Sequence, residues 1–342
     1  MPENKRLNLL FSTTRQWNIG DEFISFGTKN IIKAAGIDFN SIIYNRNPQV
    51  CPLRWTDHFP WAGIKRPQEN SLMKSIPGLV DAAVIAGSPE WRGGRRAGPL
   101  LDMIIRQNLP TAFVGIGSAS PFSLKGPILE VMRKQSRLVI CRDQQTHESI
   151  SRYIKAHLLP CPSIYAFGNH NAPPPTPSIT RIAIIIQDSE TQWQRVPKAT
   201  SEWLLEQTAK LSEKYEVRMI GHFIDDVALA RRKGLDIWYS GDSNDYPAFL
   251  KDCQLVISPR VHACGLASAL GIPSICVQHD GRAETAAMFG SLVVKPGTDI
   301  QALVQKTDWE DRAAQIHRIK EGAWGQYVEL LKDALSPGAA VS

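Results

Sequence analysis

The sequence predicts an α/β protein with two doubly wound, Rossmann-like domains that face each other across a cleft. Three observations support this fold class. Apolar runs typical of buried strands alternate with amphipathic stretches along the 342 residues. A proline-rich segment at 161–180 interrupts the alternation, and the same pattern restarts after it. Because such alternation is typical of parallel sheets covered by helices, two runs of it predict two domains.

The first half contains five predicted strands, each a short apolar run. They are residues 7–12, 41–45, 82–87, 111–117 and 137–142. Between them, helical periodicity is found at residues 21–35, 97–108, 123–135 and 143–155. Strands that are apolar throughout are typical of parallel sheets with both faces covered. We therefore assign residues 1–165 to a first α/β domain.

Residues 166–180 lack apolar periodicity and include three consecutive prolines, so they are predicted to form an extended linker. Further predicted strands follow at residues 181–187, 215–221, 235–239, 254–258, 273–277 and 291–294. Predicted helices lie at residues 200–214, 224–234, 262–270 and 309–334. Residues 181–342 are accordingly assigned to a second domain.

Composition narrows the classes of partner. Lys and Arg total 39 against 33 Asp and Glu, a net charge of +6, which suits an anionic small molecule, an anionic glycan or nucleic acid. No nucleic-acid motif is present, which favours the small anion. The apolar run at residues 7–11 is too short for a secretory signal, so we expect a cytoplasmic protein. The six cysteines show neither C-x-x-C nor zinc spacing, so neither disulfides nor a metal site are expected.

Ligands of doubly wound sheets bind outside the carboxyl ends of the strands, so the loops that follow the strands are the candidate binding loops. The loop after the first predicted strand contains Asn18, Gly20 and Asp21. Gly20 permits a tight turn, and Asp21 is placed to cap the next helix. These residues are therefore either turn and cap residues, or cleft residues with Asp21 as an acceptor-site carboxylate.

Three more strand ends carry polar or small residues. The loops at 85–96 and 115–126 are rich in Gly and Ser, which suits either an anion at backbone N–H groups or close helix packing. Arg142 ends the strand at 137–142, and Asp143 is predicted to cap the following helix. Arg142 is either a ligand-binding residue or one half of an ion pair across a domain face.

The segment "SPRVHACGLASALGIPSICV" (258–277) has the strongest signal. Its strand ends at a proline, and Arg260 and His262 follow at the start of a small-residue helix. A guanidinium and an imidazole beside a helix N-terminus suit a phosphate or carboxylate. Arg282 and Glu284 follow the next strand and are either a second cation and carboxylate at the same rim or a solvated helix start.

These motifs resemble the polysaccharide pyruvyl transferase family. "DCQLVISPRVHACGLASALGIPSICVQHDGRAETAAMFG" is similar to its C-terminal signature, "WNIGDEFI" to its N-terminal turn and "CRDQQTHES" to its arginine–aspartate turn. The resemblance implies a GT-B-like fold, with the acceptor on the first domain and the donor on the second. It also implies transfer of pyruvate from phosphoenolpyruvate to two hydroxyls of a sugar, forming a ketal and releasing phosphate, in polysaccharide or glycoconjugate biosynthesis.

The resemblance assigns roles to single residues. Arg142, Arg260 and Arg282 match positions that bind the donor's phosphate and carboxylate. His262 matches the general acid, and Asp21 matches the aspartate of the N-terminal turn. Phosphoenolpyruvate is then a substrate and no cofactor is expected. Nearby arginines are expected to lower the pKa of His262, so a carboxylate or the donor dianion has to offset them.

Several alternatives stay open. "AGSPEW" and "VGIGSASP" depart from the family's usual glycine-rich loops, which leaves the acceptor open, including a lipid-linked one at a membrane surface. Four tryptophans in the first half either stack on sugars or are buried: Trp17, Trp55, Trp61 and Trp91. The rival functions are a nucleotide-sugar glycosyltransferase, in which Glu284 would hold a ribose, and a non-catalytic relative. Linkage, ketal stereochemistry, general base and oligomeric state are not predicted.

Overall fold

The computed structural model describes residues 6–14, 19–45, 78–89, 91, 98–120, 122–167, 178–188 and 196–336. Two parallel sheets form the framework, a six-stranded sheet of order β2-β1-β3-β4-β5-β6 and a five-stranded sheet of order β11-β10-β9-β7-β8. Neighbouring strands pair in parallel throughout these sheets. The predicted fold class is confirmed.

The strands of the first sheet are β1 (Leu7–Thr13), β2 (Phe39–Asn45), β3 (Ala82–Ala86), β4 (Thr111–Ile116), β5 (Ser136–Cys141) and β6 (His157–Leu158). Those of the second are β7 (Arg181–Ile185), β8 (Glu216–Ile220), β9 (Leu255–Ser258), β10 (Ser274–Val277) and β11 (Leu292–Val294). The predicted strand at 235–239 is wrong: this stretch forms one isolated bridge, between Ile220 and Trp238. Its side chains alternate between exposed and half-buried, so the residues are too exposed for a central strand.

The α-helices in the described part are α1 (Ile19–Ala34), α2 (Gly98–Arg106), α3 (Gly126–Gln135), α4 (Gln144–Ser151), α5 (Lys198–Ser212), α6 (Ile224–Lys233), α7 (Tyr246–Phe249), α8 (Val261–Ala269), α9 (Ala283–Ala287), α10 (Ile300–Lys306) and α11 (Trp309–Leu335). A 3₁₀ turn spans Pro162–Tyr165. None of these helices combines the length and hydropathy that a membrane crossing requires. As predicted, the Asp143 carboxylate caps α4, accepting from the backbone N–H of Thr146 at 2.8 Å.

Each sheet is covered on both faces, as its strand sequences require. In β1, Leu9 and Phe11 contribute to one buried cluster, while Leu10 contributes to a separate one. In β7, Ile182 and Ile184 likewise belong to one cluster, whereas Ala183 and Ile185 belong to another. Since successive side chains of a strand point to opposite faces, this division places an apolar core on either side of each sheet.

The two lobes, the structural units around the two sheets, share core residues. Ile19 and Phe23, at the start of α1 in the first lobe, pack into a cluster formed mainly by the second lobe. Near the other end of the chain, Tyr327 and Leu331 of α11 pack onto the core of the first sheet. The sequence assigned all of 181–342 to the second domain, yet the second half of this helix covers the first sheet. The domain boundaries themselves stay a prediction, and residues 168–177 of the proposed linker lie outside the described residues.

The turn Pro162–Tyr165 lies between α1 and α8 and fixes how the lobes meet. A Cβ atom on Gly265 of α8 would lie 2.4 Å from Ser163 Oγ, so only a glycine allows this approach. Lys320 of α11 donates from Nζ to the carbonyl of Ala269 at 2.9 Å, and the Tyr165 hydroxyl donates to the carbonyl of Lys320 at 2.7 Å. The small-residue helix predicted at 262–270 therefore packs closely, and its N-terminus lies beside that of α1.

Candidate active site

A cavity of about 340 Å³ lies where the carboxyl ends of the two sheets face each other. The first lobe contributes Asp21, Ser88, Gly117 and Arg142, which follow β1, β3, β4 and β5. The second contributes Gln187, His222, Arg260, His262, His279 and Arg282, which follow β7, β8, β9 and β10. In both sheets the strand order reverses beside the first strand of the lobe, so the cavity occupies the position where doubly wound sheets bind ligands.

Arg142 and His262 meet across the interface between the lobes. Arg142 Nη1 lies 2.9 Å from His262 Nε2. A guanidinium only donates hydrogen bonds, so Nε2 is the acceptor and the ring is neutral, with its proton on Nδ1. The pKa of His262 lies well below its ordinary value because the ring is withdrawn from water and because Arg142, Arg282 and His222 are near it. This agrees with the direction that the sequence predicted.

Gly20 leaves the space that the His262 ring occupies. A Cβ atom on Gly20 would lie 2.3 Å from His262 Nδ1 and 2.5 Å from His262 Cβ, far inside van der Waals contact. The predicted tight turn is wrong: Gly20 lies in the first turn of α1 and has no positive φ. The glycine is required here by close approach and not by backbone conformation.

Asp21 lines the cavity next to Gly20. Its predicted role as a helix cap is wrong, because α1 begins at Ile19 and Asp21 already lies inside the first turn. The Asp21 carboxylate accepts a hydrogen bond from Thr14 Oγ1 at 2.9 Å, which holds it beside the end of β1. Asn18, the third residue of this predicted group, lies outside the described residues.

Arg142 is 4% exposed and meets neutral groups. Besides His262, its guanidinium lies 3.5 Å from the carbonyl of Gly115 and 3.5 Å from Ser88 Oγ. Its Nε–H is buried without an acceptor. Within the described part of the chain no carboxylate forms an ion pair with it, which disfavours the ion-pair interpretation. A buried guanidinium with an unsatisfied donor favours an anionic ligand that supplies the acceptor.

Arg260 is equally buried but is held by a carboxylate. Its Nη2 donates to both oxygens of Asp226, at 3.0 and 2.9 Å, and its guanidinium carbon lies 4.1 Å from the centre of the Phe223 ring. The Asp226 side chain is fully buried. It also accepts from the backbone N–H groups of His222 and Phe223, both at 2.9 Å. The Nε–H of Arg260, like that of Arg142, has no acceptor.

Arg282 lies on the second-lobe side of the cavity. Its guanidinium donates to Asp280 at 2.9 Å from Nε and at 2.5 Å from Nη2, and it lies 3.4 Å from His279 Nε2. Burial lowers the pKa of His279. Arg282 is therefore a cation that shares its charge with an adjacent aspartate at the edge of the cavity.

Glu284 is not among the residues that line the cavity. Its carboxylate accepts from the backbone N–H of Gln144, at the start of α4, at 3.1 Å. Nearby, Thr285 Oγ1 donates to Asp143 at 3.4 Å. Glu284 was predicted to bind substrate, but its side chain contacts the first lobe, because the exposed N–H groups at a helix start attract a carboxylate.

Sequence reasoning missed several residues of the site. His222, His279 and Gln187 each lie two residues beyond the end of a strand, so a search for polar residues at every strand end would have found them. Asp226 gave no such signal, because it lies 34 positions before its partner Arg260.

Trp91 also lines the cavity. Its indole N–H donates to the Gly117 carbonyl at 3.1 Å, and its ring lies 4.2 Å from that of Phe122, centre to centre. The other three tryptophans that the sequence offered for sugar stacking, Trp17, Trp55 and Trp61, lie outside the described residues. Among the described residues no group of three or more His, Cys, Asp or Glu is placed to hold a metal ion.

The fold and the basic cavity at the strand ends define a two-lobed, GT-B-like α/β protein with a ligand-binding cleft. The family model for polysaccharide pyruvyl transferases matches residues 18–281, most of the chain. The chain therefore belongs to the polysaccharide pyruvyl transferase family, and the resemblance in its sequence motifs is confirmed. Membership supports pyruvate transfer in polysaccharide biosynthesis. No curated protein matches the chain significantly in sequence.

Solved structures agree on the fold. The UDP-GlcNAc 2-epimerase of Neisseria meningitidis, bound to UDP-GlcNAc, matches with a TM-score of 0.55 at 10% identity, over 97% of this chain and 99% of that one. The epimerase of Methanocaldococcus jannaschii, in complex with UDP-GlcNAc and UDP, has a TM-score of 0.50 at 12% identity, over 93% and 100%. A glycosyltransferase of Rickettsia africae has a TM-score of 0.50 at 13% identity, over 96% of both chains. At these identities the likeness concerns the fold alone.

Proposed function

We propose that this protein transfers the pyruvyl group of phosphoenolpyruvate to two hydroxyls of a sugar, as a cyclic ketal, and releases phosphate. The observation that carries the proposal is the pair of buried guanidinium groups, Arg142 and Arg260, whose Nε–H donors lack acceptors beside one cavity. A small donor with a phosphate and a carboxylate offers two anionic groups for two such arginines. Membership in the pyruvyl transferase family supports the same donor chemistry.

The proposed reaction balances without a further reactant. The methylene carbon of the donor gains a proton and becomes a methyl group, while the first sugar hydroxyl loses a proton and bonds to the adjacent carbon. The second hydroxyl then bonds to that carbon as the carbon–oxygen bond to phosphate breaks, and its proton leaves with the phosphate. Because the donor brings both its carbon skeleton and its leaving group, this reaction requires no cofactor.

His262 is the proposed acid that protonates the methylene carbon. Its Nε2 accepts from Arg142 in the structure, so the ring is a poor acid in this arrangement. A donor phosphate bound to Arg142 would withdraw that guanidinium and add negative charge, and both changes favour protonation of Nε2. Arg142, Arg260 and Arg282 would then stabilise the charge on the leaving phosphate. Donor binding thus prepares the acid.

The first-lobe side of the cavity is proposed to receive the sugar. Asp21 supplies a carboxylate at the end of β1 that can accept hydroxyl hydrogens, and the fixed Trp91 ring supplies an apolar wall. Both come from the first lobe, whereas Arg282 and His279 come from the second. A glycan acceptor, free or lipid-linked, and a cytoplasmic location belong to this proposal.

The test is release of phosphate from phosphoenolpyruvate by the purified protein across a panel of glycosides. In heavy water the product should carry one deuterium in its new methyl group, detected by NMR. If the protein releases a nucleoside diphosphate from a nucleotide sugar and releases no phosphate from phosphoenolpyruvate, it is instead a glycosyltransferase. Tight donor binding without phosphate release across the panel would identify a non-catalytic relative.

A further inference from the structure

A second cavity, of about 680 Å³, lies at the opposite end of β5 from the candidate active site. It is formed by the end of α3, the start of β5, the segment between α4 and β6, and the last turns of α11. Arg137 lies at the amino end of β5 and Arg142 directly beyond its carboxyl end. At about 3.3 Å per residue, the strand separates the two arginines by about 17 Å, so this cavity is not part of the candidate active site.

Three cations line this second cavity: Arg133, Arg137 and Lys155. None of them forms an ion pair with a carboxylate of the described residues, and Asp333 is the single carboxylate among the lining residues. Lys134, next to Arg133 on α3, is by contrast paired, with its Nζ 2.9 Å from Glu130 Oε1. The cavity therefore has a positive charge that the protein itself does not balance.

The arginines of this cavity are partly fixed. The Nε–H of Arg137 is buried and has no acceptor. The Arg133 guanidinium lies 5.8 Å from the centre of the Tyr153 ring, which limits its orientations. The pKa of His157, which also lines the cavity, is lowered, first by burial and then by the nearby Lys155 and His147. An unsatisfied buried donor beside two further cations is typical of a site for an anion.

A groove on the second lobe gives the contrast. It measures about 580 Å³ and is lined by Glu202, Glu206 and Asp236, with Lys233 as the lining cation. Its charge is opposite to that of the second cavity. Positive charge is thus not a general property of the concave surfaces of this protein, although the chain as a whole carries +6.

We propose that the second cavity binds an organic phosphate, with the phosphate on the three cations and an apolar group against the rest of the lining. Tyr153, Ile154 and Leu330, which line the cavity and are half-buried, supply that apolar surface. Two excess positive charges suit a phosphate monoester or a lipid phosphate, and guanidinium groups match phosphate oxygens. This inference does not depend on the identity of the donor or acceptor proposed above.

The test measures binding of phenyl phosphate by calorimetry to the full chain and to matched single variants. Two classes of site are expected in the wild type. Arg137→Gln should weaken one of them by about 10- to 100-fold, the effect of losing a charged hydrogen bond. Arg142→Gln should weaken the other. Lys155→Gln repeats the first test at an exposed side chain, where folding is not at risk, and Lys198→Gln is the control for a surface cation outside the cavity.

A second arm separates a soluble ligand from a lipid. Vesicles of phosphatidylglycerol and of phosphatidylcholine are compared in a sedimentation assay with the same variants. The site is assigned to a lipid headgroup if the protein binds phosphatidylglycerol vesicles but not phosphatidylcholine vesicles, and if Lys155→Gln weakens that binding. Binding of phenyl phosphate without vesicle binding assigns it to a soluble ester. The proposal is overturned if the wild-type protein shows a single class of phenyl phosphate site that is lost in Arg142→Gln and kept in Arg137→Gln, and if it binds neither kind of vesicle. Phosphate release from phosphoenolpyruvate should be unchanged in Arg137→Gln, so this result and the proposed function fail separately.

Discussion

Two buried arginines reach the candidate active site, one from each lobe, and they are held in opposite ways. Arg260 donates to both oxygens of the buried carboxylate of Asp226. Arg142 forms no ion pair within the described residues, and its hydrogen-bonding neighbours, among them the imidazole of His262, are neutral. A charge that is compensated locally mainly fixes geometry, whereas an uncompensated one raises the potential of the whole cavity. Arg260 of the second lobe is thus a hydrogen-bond donor held in place by Asp226. Arg142 of the first lobe contributes positive charge that no ion pair offsets.

Removing the imidazole of His262, which contacts Arg142, should have the largest effect. His262→Ala should lower kcat by about 100- to 10,000-fold, because a general acid contributes that much to a rate. Affinity for phosphoenolpyruvate should stay largely intact, since the arginines remain. Phosphate release gives kcat, and calorimetry gives the affinity. Retained turnover would show that the acid is another group, and the contrast between the lobes would lose its catalytic meaning.

The arginines themselves should differ most in stability. Arg260→Gln leaves the buried Asp226 without its charged partner, so the free energy of unfolding should fall by about 3–5 kcal/mol. Arg142→Gln strands no carboxylate and should cost clearly less. Both variants should bind phosphoenolpyruvate more weakly. Urea unfolding of the two variants is the direct comparison.

The double variant Arg260→Gln, Asp226→Asn is the control, because it removes the stranded charge and should recover part of the lost stability. Equal losses in the two single variants would break the comparison. So would unchanged affinity for phosphoenolpyruvate in Arg260→Gln, which would show that this arginine does not bind the donor.

Gly20 tests whether the place of the His262 ring matters. Gly20→Ala puts a methyl group within 2.3 Å of Nδ1, so the ring has to move. A displacement of about 1 Å at a reacting group costs about 100-fold in rate. Gly322→Ala, in α11, is the matched control, because a Cβ atom there meets nothing within 4 Å. Equal activity of the two variants would show that the ring position is not critical.

The pH dependence should show a smaller but diagnostic effect. The pKa of His262 is lowered by burial and by Arg142, so in the free enzyme the acid form is lost as pH rises above that low value. The alkaline limb of kcat/KM, which reports the free enzyme, should therefore lie below that of kcat, which reports the donor complex. Arg142→Gln should move the kcat/KM limb to higher pH. If the alkaline limbs of kcat/KM and kcat coincide in the wild type, the pKa of His262 is not controlled by Arg142 and the bound donor.

Much of the fold could be predicted from local patterns. Apolar runs mark most strands, because a parallel strand is buried along its whole length. The pattern fails where burial is partial: residues 235–239 are apolar enough to suggest a strand but make one bridge, and the two-residue β6 is too short to give any signal.

The residues of the candidate site could be predicted where they directly follow a predicted strand. Arg142, Arg260, His262 and Arg282 line one cavity because each follows a strand, and the carboxyl ends of parallel strands share one edge. What each arginine contacts was not predictable, since Asp226 is distant in the sequence. Likewise, nothing local indicates that Glu284 turns toward the helix start at Gln144.

The long last helix, which starts in the second lobe and ends on the first sheet, limits how this architecture can be divided. A fragment that stops before residue 181 lacks Tyr327 and Leu331, which belong to the core cluster of the first sheet, so a large apolar face would be open to water and the fragment should aggregate. In chimaeras that join lobes from two relatives, the first sheet of one protein would pack against the α11 helix of the other. Exchange of lobes between such enzymes therefore requires that α11 accompany the first sheet, although it follows the second sheet in the sequence.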